Sequence, residues 1–437
     1  MTGASAGPSD RPSTTTDVDL DEGAEAASPA LTPRSSGVPT GSRWWSRWQP
    51  RGEWRPLLLC VLGVWVGSRV AVLLASLTGA WALQSDPAAP RGLSVLWAGW
   101  DTTWYVDIAR GGYFQLENAG EPFACCTHAF FPGLPLTLRA VHWVIPSWIA
   151  AGLTISAVAG AVAVVALARL ARYEAGARAD ERQQLEVGCR AVLYLVLSPY
   201  ALFLFAVYTE ALFLAFALPA WLAAKRGDWR TAGLLAAGAS TVRITGLFLA
   251  AALAVEYAVS RRRAGLPLVR PAVLWLVAPG IPAGAYVTFL YTKTGSWLAW
   301  QEAQASTLGW GRAFSSPVAA FRMTFGSAFD PATVPGYAFA RRAELVAMAV
   351  GLVLIVVLAR LRRWGETLFI TLNVLAFGTA GIYFAIPRGT LVWFPLWILL
   401  ARLSVTRWRW LHPVYLWTSV PLMVVLTVAF TKGFWVN

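Results

Sequence analysis

Runs of about twenty apolar residues recur along the chain, each bounded by a short cluster of arginines. One helix needs about that many to cross the hydrocarbon core, where its backbone polar groups must be satisfied internally. The pattern restricts the chain to an all-α polytopic membrane protein. Only 14% of the 437 residues are charged, against about 25% in a soluble domain. The formal charge of +13 does not point to nucleic acid, which requires basic residues gathered on one solvated face. Here they fall between apolar runs, at Arg43–Arg55, Arg169–Arg190, Lys225–Arg230, Arg261–Arg270, Arg360–Arg363 and Arg402–Arg409. That is the distribution of the positive-inside rule.

Residues 1–42 are rich in Ser, Thr, Pro, Gly and Asp, and read as a disordered cytoplasmic tail rather than a signal peptide. Trp44, Trp45 and Trp48 alternate with arginines as an interfacial anchor. From residue 43 onward the chain reads as one transmembrane domain. A first span over about 56–83 leads to an outside loop, 84–127, whose aromatics suggest short helices lying on the membrane surface. The prolines of 130–146 make that stretch re-entrant or interfacial, and 148–168 spans. Spans at about 189–206 and 208–224 follow. The 29 residues 231–259 lie between two basic clusters, which demands an even number of crossings. A broken pair turning near Arg243 fits. A span at about 271–291 leads to a second outside loop, 293–342, and four more spans follow at about 343–359, 366–385, 389–401 and 411–430. The tally is about eleven crossings, with the N-terminus inside and the C-terminus outside. Cys60 and Cys189 read as small core residues. Cys125 and Cys126 read as two free thiols in the first outside loop.

Two aromatic outside loops and a polar gap between spans describe a cavity at the outer membrane surface. Ionisable residues there are functional candidates because burying them is costly. Asp101, in Trp100-Asp101-Thr102-Thr103-Trp104-Tyr105, can act as a general base on a hydroxyl. It can equally cap a helix. Glu210 starts a span, where it serves either the helix dipole or a substrate. Arg243 and Arg388 lie far from the inside clusters. They suit bidentate phosphate recognition or pairing with a buried carboxylate such as Glu210 or Asp101. Asp107 and His128 are further candidates, although a lone His is more often structural. Trp300, Gln304, Trp310 and Arg312 form either a sugar platform or a surface belt. No Cys/His or acidic cluster has metal-ligand spacing, so neither a divalent metal nor another cofactor is expected.

At these residues a resemblance emerges. Trp100-Asp101, Trp104-Tyr105, Ile108-Ala109 and Gly112-Tyr113 resemble the first-loop signature of the PIG-V family, the GPI mannosyltransferase 2-like enzymes. Ala129 through Leu136, Ser198-Pro199, Tyr208 through Phe213 and Gly227 through Gly246 continue that family's motifs in order. The similarity covers roughly 95–250. The resemblance implies a GT-C glycosyltransferase fold with Asp101 as the catalytic acid of the first outside loop. It implies a polyprenyl-phosphate mannose donor, transfer with inversion to an α-mannoside, and Arg243 or Arg388 at the leaving phosphate. Trp100, Tyr105, Asp107, His128, Glu210, Gln304 and Arg312 become substrate-binding candidates. Arginine preferred over lysine in alanine-rich spans suggests a GC-rich bacterial gene. The implied acceptor is therefore a lipoglycan, a cell-wall glycan or a protein rather than GPI. A multi-span transporter is the rival reading; large aromatic outside loops and the lack of an inverted repeat weigh against it.

Overall fold

The computed structural model describes residues 54–82, 92–115, 126–176 and 179–436. The expected tail and tryptophan anchor, together with Cys125, lie outside them. The described chain is helical throughout. The first loop carries two short helices after α1 (Trp54–Ala82): α2 (Leu93–Leu96) and α3 (Asp101–Gly111). Next come α4 (Gly133–His142), α5 (Trp148–Ala175), α6 (Glu181–Val196), α7 (Thr209–Lys225), α8 (Trp229–Val242), α9 (Thr245–Arg263) and α10 (Gly280–Thr294). The second loop holds α11 (Ala299–Ala305) and α12 (Pro317–Phe329). Then follow α13 (Pro335–Arg360), α14 (Trp364–Gly378), α15 (Ile386–Gly389), α16 (Phe394–Thr406) and α17 (Leu411–Thr431).

Among the described residues, five helical segments are long and apolar enough to cross a membrane: 55–82, 148–175, 271–294, 335–360 and 411–431. A sixth crossing is possible through the pair 386–392 and 394–406, bent by 74°. Several of the remaining core helices are too short for a full crossing. α8 has 14 residues, or about 21 Å at 1.5 Å per residue. α4 has 10 residues, about half a crossing.

Four expected boundaries move, each for a local reason. The span expected over 189–206 stops at Val196, before Pro199, and continues as a 3-10 turn, Ala201–Leu204. The residue before a proline is steered out of the helical region. α13 starts eight residues earlier than expected, at Pro335, whose ring suits a first helical position. α14 ends at Gly378 rather than 385, because Ala380 pairs with Phe314 of the second loop. The helix expected from 389 is broken at Trp393. Cys60 of α1 and Cys189 of α6 form a disulfide across a Cα–Cα distance of 6.4 Å, rather than packing as separate thiols. Cys126 is also disulfide-bonded, against the free-thiol expectation.

α7 sits at the centre. It is buried on all sides and packs on α5 and α8, as a helix apolar all round must. Small residues on α5 admit close neighbours: a Cβ on Gly160 would come within 2.2 Å of the Trp65 ring. α9 packs on α14, and α14 on α13. The break between α8 and α9 falls at Arg243-Ile244, as expected. A Cβ on Gly246 would meet the Ser240 backbone at 2.4 Å, so this tight reversal requires glycine.

Candidate active site

The second loop is stitched to the stretch that follows the first loop, over the ends of α7, α9 and α14. The Ala129 carbonyl accepts the Trp300 indole N–H at 3.0 Å and the Gln304 amide at 3.1 Å. Phe314 bridges to Ala380, and the Ser315 N–H donates to the Thr379 carbonyl at 2.7 Å. Beneath these contacts lies a cavity of about 360 Å³. The first loop contributes Asp101 and Tyr105, the stretch after it Phe130 and Phe131; the second loop contributes Trp300, Gln304, Trp310 and Arg312. The helix ends add Arg243, Phe248, Asn373, Phe377 and Arg388.

Asp101 is the first residue of α3, and the N-cap is Trp100, whose side chain makes no cap bond. The capping reading of Asp101 therefore gives way to an ion pair: Arg388 Nη1 lies 3.0 Å from Asp101 Oδ2. The backbone at Asp101 is held from below, its N–H donating to the Tyr208 hydroxyl at 3.2 Å. Trp100 adopts φ +60°, a conformation that a bulky side chain seldom takes. Strain of this kind persists only where its surroundings enforce it, and here it starts the helix that presents Asp101.

Arg388 is bound from three directions. Its guanidinium lies over the Phe203 and Tyr208 rings at 5.3 and 5.2 Å. It pairs with Asp101, and its Nε lies 3.3 Å from Glu210 Oε1. The backbone before it is clamped by fully buried Glu344, which accepts the N–H groups of Ala385 (2.6 Å) and Ile386 (2.8 Å). Ala385 stands at φ +64°, so this carboxylate holds the turn that delivers Arg388. Arg243 leaves α8 in extended conformation. It donates to Glu210 Oε1 at 2.5 Å and to the Thr209 hydroxyl at 2.8 Å. Glu210, 0% exposed, thus tethers two cavity arginines from behind the lining. Pairing with a buried carboxylate, one of the two readings for Arg243 and Arg388, is what the fold shows. Both still face the cavity.

Arg312 differs from them. Its guanidinium lies over the Phe384 ring at 4.6 Å and donates to the Phe384 carbonyl at 3.3 Å. Its Nε is buried without a hydrogen-bond partner. Burial, reinforced by the Arg388 charge, lowers its pKa to about 10. It therefore stays cationic at neutral pH, and an anion in the cavity would be its natural counter-charge. On α3, burial pushes the Tyr105 phenol up, and the Asp101 charge adds to the shift.

Besides Glu210, three expected residues stand outside the lining. Trp100 is 39% exposed and is not among the lining residues. Asp107 follows Asp101 by six residues, which turns it about 120° round the helix axis. Burial raises its carboxyl pKa, against the pull of Arg110. The His128 ring stacks on Phe114 at 4.9 Å, and its carbonyl accepts from Tyr286 at 2.9 Å. Sequence reasoning passed over Tyr208, Thr209 and Glu344, which position the charged groups. It also passed over Asn373, 1% exposed, whose side-chain carbonyl has no partner. A lone amide in an otherwise apolar helix was the available signal for Asn373.

Residues 69–260 match the family model described as mannosyltransferase (PIG-V). Over those residues the chain is similar to the PIG-V mannosyltransferase family. It is a glycosyltransferase and, with its apolar helices, a membrane protein. No curated protein matches the chain. The segment shared with the PIG-V family carries Asp101, Tyr105, Glu210 and Arg243, whereas Gln304, Arg312 and Arg388 come from beyond it. The cavity joins the two sets.

Proposed function

We propose that the chain transfers mannose from a polyprenyl-phosphate mannose to an acceptor hydroxyl at the extracytoplasmic membrane boundary, in a GT-C fold of about eleven crossings. The observation that carries this reading is one cavity holding a carboxylate, Asp101, beside three guanidiniums. A sugar phosphate ester needs a base for the incoming hydroxyl and cations for the departing phosphate. Asp101 takes the proton from the acceptor O–H. The freed oxygen attacks the anomeric carbon, and the bond from that carbon to the phosphate oxygen breaks. The electron pair leaves on the phosphate, which Arg388, Arg243 and Arg312 neutralise. A single displacement converts a β-linked donor to an α-mannoside. The leaving group is already weakly basic, so no general acid is required.

Arg388 joins the two halves of the step. In the free enzyme it neutralises Asp101. A donor phosphate that draws the guanidinium to itself leaves Asp101 free to accept a proton. Trp300, Trp310, Tyr105 and Gln304 provide faces and an amide for the sugar. The acceptor is a lipid-, glycan- or protein-linked hydroxyl in the outer leaflet or beyond it. The test supplies membranes with radiolabelled polyprenyl-phosphate mannose. Wild type labels an acceptor, and Asp101→Asn does not. Labelling by Asp101→Asn at the wild-type rate would remove the mechanism.

A further inference from the structure

A second cavity, of about 530 Å³, lies at the opposite ends of the same helices. α7 runs from Glu210 to Lys225, and α9 runs from the Arg243 turn to Arg263. α14 carries Glu366 in its first turn and reaches Asn373 of the Asp101 cavity. The second cavity is lined by Glu174, Lys225, Glu256, Arg263, Arg363 and Arg402, with Tyr173 and Ser260 at its edge. This is the face that the arginine clusters mark as cytoplasmic.

The ion pairs here leave a remainder. Lys225 is taken by Glu256 at 2.8 Å. Arg363 is taken by Glu366 and by Glu174, the latter at 2.5 Å. Buried Glu366 also accepts the Trp221 indole N–H at 3.2 Å. Yet Arg363 Nη1 is buried with no acceptor, and Glu174 Oε1 is buried with no donor. The Glu174 side chain is only 7% exposed. Arg402 makes no ion pair or side-chain hydrogen bond among the described residues, and Arg263 spends one nitrogen on the Arg362 carbonyl. A structural clasp would pair its own charges. This one presents unpaired guanidinium nitrogens beside an unpaired carboxylate oxygen.

We infer that this cavity binds a phosphate ester whose alcohol carries free hydroxyls. The phosphate sits against Arg402, Arg263 and Arg363 Nη1, and a hydroxyl donates to Glu174 Oε1. An anionic phospholipid headgroup and a soluble polyol phosphate share that chemistry. Guanidiniums select the phosphate oxygens, and the carboxylate excludes headgroups that lack a donor. The inference does not depend on the role proposed for Asp101.

The full chain in detergent, studied by native mass spectrometry, tests it. The lipid probes are phosphatidylglycerol, phosphatidylmethanol (equal charge, no hydroxyl) and phosphatidylcholine; glycerol 1-phosphate is the soluble probe. Wild type should retain phosphatidylglycerol over both lipid controls. Arg402→Ala should weaken that retention about tenfold, with Arg263→Ala as a second variant. Mannosyl transfer at the Asp101 cavity, unchanged in both variants, shows that the fold is intact. Displacement of the lipid by glycerol 1-phosphate at matching concentration supports the soluble source, and no displacement supports the lipid. Equal retention of phosphatidylglycerol and either control, or unchanged retention in both variants, overturns the proposal.

Discussion

The two ends of α7, α9 and α14 solve the same problem in different ways. At one end, five ionisable groups in an apolar and aromatic surrounding converge on one cavity or lie directly behind its lining, while neighbours such as Asp107 stay outside it. Asp101, Glu210, Arg243, Arg312 and Arg388 come from five separate stretches of chain. At the other end, arginines are abundant and the carboxylates are met by close cations. Sparse charge that converges is the costly arrangement, because each group gives up its hydration. Abundant charge at the basic face follows from topology alone. The lesson is that the count of charged residues says little about where chemistry resides. What matters is whether the charges were brought together against their solvation cost.

The comparison breaks first at Arg388. Arg388→Ala should lower transfer by about 10²–10³-fold, the usual loss for a donor that stabilises developing charge, and should weaken donor binding as well. Initial rates against donor concentration check this. An effect below threefold would place the phosphate elsewhere.

The next contrast sets Glu210 against Glu366, both 0% exposed and both paired with arginine. Removing one member of a buried pair costs about 3–5 kcal/mol, so Glu210→Ala and Glu366→Ala should both lower the unfolding midpoint. Glu210→Ala frees Arg243 and Arg388 and should also raise the donor KM. Glu366→Ala should leave KM near wild type. Thermal unfolding beside steady-state kinetics separates the outcomes, and equal KM changes would erase the distinction between the two ends. The smallest effect is expected at Trp300. Trp300→Phe keeps the ring and loses the hydrogen bond to Ala129, worth about 1 kcal/mol, so KM should rise about fivefold. An unchanged KM would show that the loops close without that bond.

The architecture was legible where physics is local. Apolar length gave α1 and α17 nearly to the residue, and the reversal at Arg243 followed from too few residues between two basic clusters. Boundaries failed where a distant partner intervened. α14 stops at Gly378 because residues 314 and 315 bind the chain after it. Asp101 stood out among aromatics, but a cap and a functional carboxylate look alike in sequence. Its partner is 287 residues away. The full-length crossings number fewer than the tally, because helices enclosed by other helices need not be as long as those facing lipid. Trp100 and His128 were attractive by residue type and by motif, yet neither lines the cavity. Glu344 was invisible, since its part is to hold two backbone N–H groups 41 and 42 residues onward.

The central claim is that Asp101 moves the acceptor's proton while arginines hold the donor's phosphate. Donor affinity and transfer rate measured on one preparation of Asp101→Asn examine it most directly. Bound polyprenyl-phosphate mannose should remain within about threefold of wild type, because the arginines persist, while transfer falls by about 10²–10⁴-fold. Loss of donor binding with the chemical step intact would contradict the account.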